Sequence, residues 1–187
     1  MRVPGMGIVG VGLLVVTVAG CAGPDLSPVP SQAAAPFVCD GVPLAGAELT
    51  LGGPVEANRI VESWGDDGAG FRCSLVLKSG EPGLILVSDE DLRGVSPTTG
   101  EQGQLALLAL QGDAQPIHAD AVGAGYVFGI EPSGAAAWVC HGRYIKVWLA
   151  RVEVEGRSQR ADAEALLISM LPWACGDQKV PERTVGK

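Results

Sequence analysis

His118 and His141 are the only histidines in a chain of 187 residues, so any imidazole-based proton transfer must run through them. His118 stands two residues before Asp120, and His141 directly follows Cys140. A histidine base acting on Ser88 or Ser133 would make a hydrolase. Neither serine lies in a G-x-S-x-G elbow or an S-x-x-K motif, the local frames that expose and activate a serine nucleophile. Asp89, Glu90 and Asp91 are consecutive carboxylates. Calcium loops alternate their acidic ligands and include a glycine, so this run is expected to be a solvated loop. Gly123, Gly125 and Gly129 lack the strand–turn–helix setting of a nucleotide loop, so a bulged strand or turn is expected. Trp64, Trp138, Trp148 and Trp173 could line a ligand groove or fill the core; the core is the expectation. No catalytic residue, metal ligand or cofactor is assigned. A binding or structural module is expected ahead of an enzyme using His118, Asp120 or His141.

The N-terminus sets the compartment. Arg2 and the amino terminus precede an uncharged apolar run from Met6 to Ala19. That run is shorter than the roughly 20 residues a membrane-spanning helix needs. It closes on Val18-Ala19-Gly20-Cys21, small residues followed by cysteine. This arrangement resembles the lipobox of bacterial lipoprotein signal peptides, which are cut before the cysteine that carries the lipid. The resemblance implies that residues 1–20 are removed and that Cys21 is lipidated. It also implies that the protein sits on the extracytoplasmic face of the cell membrane. Ala, Gly and Val dominate, Arg exceeds Lys and Asn occurs once, as in proteins of high-G+C genomes. In style the chain resembles uncharacterised secreted lipoproteins of actinobacteria, which implies an envelope location and no particular activity. Residues 21–36, with Pro24, Pro28, Pro30 and Pro36, read as a lipidated tether. Extended at about 3.1 Å per residue, it would hold the domain off the membrane.

Setting Cys21 aside leaves Cys39, Cys73, Cys140 and Cys175. An even set in an exported domain reads as two disulfides. Three pairings are possible, and Cys39–Cys73 with Cys140–Cys175 is the expected one. A metal site is the rival, but no cysteines stand at C-x-x-C spacing and histidines are scarce. Phe37-Val38-Cys39-Asp40-Gly41 echoes Trp138-Val139-Cys140-His141-Gly142, a hint of duplication.

The elements that must position these groups follow from periodicity. Residues 42–51 are expected to form a short helix stopped by Gly52-Gly53, with Asp40 as its cap. Residues 58–63 and 70–78 read as strands joined by a turn at Asp66-Asp67-Gly68. Phe71, Cys73, Leu75 and Leu77 mark the buried face of the second. Leu84–Val87 reads as a buried strand, residues 89–103 as a loop, and Leu105–Leu110 as apolar and ambiguous. Tyr126–Ile130, Ala136–Cys140 and Tyr144–Val154 read as strands, the last covered on both sides. Residues 158–171 are the strongest helix, capped by Ser158, ended by Pro172, and pinned through Cys175 to the strand carrying Cys140.

The chain has 13 basic and 21 acidic residues, a net charge of −8. That balance repels nucleic acid and anionic lipid, so membrane contact should be the lipid on Cys21. The expected fold is α+β: an antiparallel sheet with one or two packed helices and two disulfides. Signal peptide 1–20, tether 21–36, domain 37–176 and flexible tail 177–187 complete the expectation. The partner would be an unknown protein or small ligand; a carrier of an apolar ligand is a further possibility.

Overall fold

The structure is a computed structural model. It describes residues 23–61, 70–93, 100–151 and 154–185, with the backbone alone at 59–61. Cys21, Trp64 and the expected turn at 66–68 lie outside the described residues.

A two-stranded ribbon, β1 (Phe37–Cys39) and β2 (Val42–Pro43), leads into α1 (Leu44–Leu51). Three antiparallel strands follow: β3 (Val55–Val61), β4 (Phe71–Leu77) and β5 (Leu84–Asp91). Helix α2 (Glu101–Ala109) crosses to a second antiparallel run, β6 (Gln115–Pro116), β7 (Ala124–Phe128), β8 (Gly134–Cys140) and β9 (Arg143–Ala150). β9 returns beside β5, so two meanders fuse into one seven-stranded sheet of order β3-β4-β5-β9-β8-β7-β6. Helix α3 (Gln159–Ala174) closes the chain's regular structure. The fold is the expected α+β, with three helices. No described helix is long and apolar enough to cross a membrane.

Alternation decides which face is buried. Phe71, Cys73, Leu75 and Leu77 on β4, Ile85 and Val87 on β5, and Ile145, Val147 and Leu149 on β9 point to one side. There they meet Ala163, Leu166, Leu167 and Met170 of α3 in one core. α2 covers part of the opposite face: Leu105 and Leu108, three apart and so on one side of the helix, pack on Ala137, Val139, Tyr126, Phe128 and Tyr144. The strand covered on both sides is therefore β8, buried at all its positions. β9 was expected in that role, but its Trp148 lies beyond the reach of α2 and is 39% exposed.

Both expected disulfides form. Cys39–Cys73 ties β1 to β4 and Cys140–Cys175 ties β8 to the C-cap of α3, with Cα separations of 6.4 and 5.8 Å. Ser158 caps α3 by accepting from the Ala161 amide. Pro172 lies inside the last turn, where its missing N–H forfeits only one intrahelical bond, and the helix runs on to Ala174.

Other expectations are corrected. Asp40 does not cap α1: Val42 and Pro43 pair with β1 first, the N-cap is Pro43, and Asp40 accepts from the Arg183 amide. The Asp89–Asp91 run is the end of β5, and α2 begins at Glu101 within the expected loop. Leu105–Leu110 belongs to α2 and its C-cap. The packed unit also extends past both expected boundaries. Val29 is buried beside Gly46 and Leu166, and the Arg157 guanidinium donates to the carbonyls of Asp25 and Ser27 at 2.8 and 2.9 Å. The chain from Asp25 onward thus lies on the domain instead of extending from it. The expected loose tail is docked through residue 185: Gly41 donates to Pro181, and Thr184 exchanges hydrogen bonds with Phe37.

Candidate functional site

Strand β6 has two residues, after which the chain leaves the sheet through Ile117–Gly123. Ile117 buries its side chain in the core and donates its amide to Gly125 at 2.9 Å. This lifts His118, Ala119 and Asp120 over the edge of β7. The result is an open cleft of about 540 Å³, lined by Pro116, His118, Asp120, Gly123, Tyr126 and Trp138 among others.

Trp138 forms its floor. The indole is 2% exposed and donates Nε1–H to the Val122 carbonyl at 2.9 Å. It lies across β7, which explains the glycines. A Cβ at Gly125 would collide with the Ala137 carbonyl and meet Trp138 Cε3 at 2.6 Å; one at Gly123, held at φ 110°, would meet Trp138 Nε1 at 2.7 Å. Only glycine lets the strand pass over so large a ring. The tryptophan is thus both core residue and cleft floor. Trp173 is core alone, edge-on to Phe37 with ring centroids 6.0 Å apart.

The expected chemical groups are dispersed. His118 and Asp120 are exposed on the cleft wall. His141 occupies the two-residue turn between β8 and β9, at φ 50° with Gly142 at 75°. Two successive positive φ values make the turn that matches the twist of a hairpin. The β1–β2 turn likewise follows a cysteine, Cys39, and places a glycine two residues after it, Gly41 at φ 73°. The echo between the two cysteine segments therefore reports two hairpin turns. Ser88 sits on β5 opposite Lys146, on the sheet face away from α3. Ser133 lies in the β7–β8 turn, at the other end of β8 from Trp138. Neither serine lines the cleft.

The strand pleat turns Glu90 to the sheet face opposite Asp89 and Asp91, and each of these two has its own arginine. Asp89 is buried and paired with Arg143 at 2.6 Å, while Arg93 Nε meets Asp91 at 2.9 Å. The hydrogen bonds from Arg93 hold the Asp91 carboxyl below the usual carboxylate range. Arg143 also donates to the Ala174 carbonyl at 2.7 Å, placing a cation at the negative end of α3 beside the Cys140–Cys175 bridge. Among the described residues no group of three or more His, Cys, Asp or Glu is placed to hold a metal ion.

Comparison with known protein families, with curated proteins and with solved structures finds no match to this chain.

Proposed function

We propose that this is a lipid-anchored protein of the cell envelope whose domain is a binding module, and that its ligand or partner enters the Trp138 cleft. The observation that carries the binding role is the cleft itself: an aromatic floor, apolar walls at Pro116 and Ala124, and two exposed polar groups, His118 and Asp120. A few placed polar groups on an apolar surface are what recognition sites combine. The cleft is open at the sheet edge, which suits an interaction module better than a carrier enclosing an apolar ligand between sheet and helix. A hydrolase is less well supported, because His118 and His141 stand on different elements and neither candidate serine lines the cleft. The envelope location rests on Val18-Ala19-Gly20-Cys21.

Two measurements test this reading. Metabolic labelling with a radioactive fatty acid should mark the wild-type chain and not Cys21→Ala; label retained by the variant refutes the anchor. Titration with solubilised envelope extract should move the Trp138 indole resonance and those of residues 116–126. The double change His118→Ala, Asp120→Ala should weaken that response about tenfold or more with an unchanged melting temperature, because both side chains are exposed. Resonances that stay still refute the cleft.

A further inference from the structure

Six large apolar side chains are exposed among the described residues: Leu26, Leu107, Leu110, Val122, Ile130 and Trp148. Scattered singly, such residues need no explanation, but five of these gather toward one end of the sheet. Leu26 rests on Gly156, just before α3. Ile130, 83% exposed, is in the β7–β8 turn, where Glu131 accepts from the first amide of α3. Leu107 and Leu110, the latter 78% exposed, end α2. That end of α2 is fastened by Asp113, which accepts from Gly129 and pairs with Arg160. Trp148 projects from β9 two residues before the strand stops. Val122 alone lies at the opposite end, beside Trp138 and the cleft.

The anchored segment meets the domain at that same end. Arg157 holds the Asp25 and Ser27 carbonyls, and Val29 is buried just after them. Asp25 is four residues from Cys21, a chain reach of roughly 14 Å when fully extended. We propose that this end rests on the bilayer that holds the Cys21 lipid, with Leu26, Leu107, Leu110, Ile130 and Trp148 entering the interfacial layer. The inference rests on the reading of Cys21 as the lipidated residue.

Apolar side chains that enter the interfacial layer add to the hold of the Cys21 lipid, whatever its number of acyl chains. A polybasic patch is the common second signal, and a chain with 13 basic against 21 acidic residues is poorly placed to supply one. Apolar side chains and an interfacial tryptophan serve instead. The cleft then faces outward. Gly123 and Trp138 lie toward Cys140, which is bonded to the far end of α3. The 16 residues of that helix hold the two ends roughly 24 Å apart.

The test places a reporter at each end of the full, lipidated chain. Ile130→Trp and Val122→Trp are each made in a Trp148→Phe background; all three positions are exposed, so folding is preserved. The proteins are reconstituted into phosphatidylcholine–phosphatidylglycerol vesicles containing a lipid with a nitroxide on its headgroup. Quenching of the added fluorescence should be at least threefold greater for Ile130→Trp than for Val122→Trp. Equal quenching, in a preparation whose fatty-acid label on Cys21 is verified, overturns the orientation alone. A preparation with no label on Cys21 overturns the anchor reading and this inference with it.

Discussion

Arg157 performs two tasks with one guanidinium. It pairs with Asp162 at 2.7 Å, with the two side chains only 3% and 7% exposed, and it holds the carbonyls of Asp25 and Ser27. Removing one member of a buried pair leaves the other charge unmatched and costs about 3–5 kcal/mol. Arg157→Ala is therefore expected to lower the melting temperature by roughly 10 °C or more and to open residues 23–29 to limited proteolysis. The paired change Arg157→Met, Asp162→Leu should recover much of the stability, because no buried charge remains, while leaving the segment cleavable. A single variant that melts with the wild type would deny Arg157 this role. None of this is visible in the chain order, since Arg157 and Asp25 meet only across 132 positions.

At the scale of elements, α2 determines how much of the second sheet face is dry. Leu105 and Leu108 seal Tyr144 against Val139 and Leu92. Burial first, and the neighbouring Glu90 carboxylate second, push the Tyr144 phenol up to about 12 from an ordinary 10.0. A raised folded-state pKa means that the neutral phenol is the form the fold accommodates. Its contribution is whole below pH 10 and is lost as pH climbs through 12. Denaturant unfolding followed across that window should show the wild type losing stability more steeply than Tyr144→Phe. Parallel curves would mean that the ring is wet. The helix itself was hard to read because its leucines fall on both sides: Leu105 and Leu108 face the sheet, Leu107 and Leu110 face out. A short run of that kind has no clear period. By contrast α3 was legible, since its cap and its apolar stripe agree.

At the scale of the whole molecule, the two disulfides staple different halves. Cys39–Cys73 closes 34 residues around β1 and β4; Cys140–Cys175 closes 35 residues between β8 and the end of α3. Loops of this length restrict the unfolded chain by about 4 kcal/mol each in the chain-entropy model. Replacing either pair by alanine should lower stability by roughly that amount, and alkylation of the folded, unreduced protein should label none of the four cysteines. Two reactive thiols in the folded protein would contradict this pairing. The staples matter because the first meander and the second share only the β5–β9 seam and the helices laid across it.

Within this chain, local chemistry alone determined the α+β class, the even cysteine set, the cap of α3 and the buried face of β4, while the choice among three cysteine pairings was decided by the fold. Each of the first four rests on a pattern that repeats over a few residues, so neighbours in sequence suffice to express it. Tertiary structure alone decided that Trp138 underlies Gly123 and Gly125, that Asp89 meets Arg143, and that the proline-rich segment lies on Arg157. It also drew five exposed apolar residues toward one end. Those relations join strands and loops far apart in the chain, and only the closing of the sheet at β5 and β9 brings them within reach of one another.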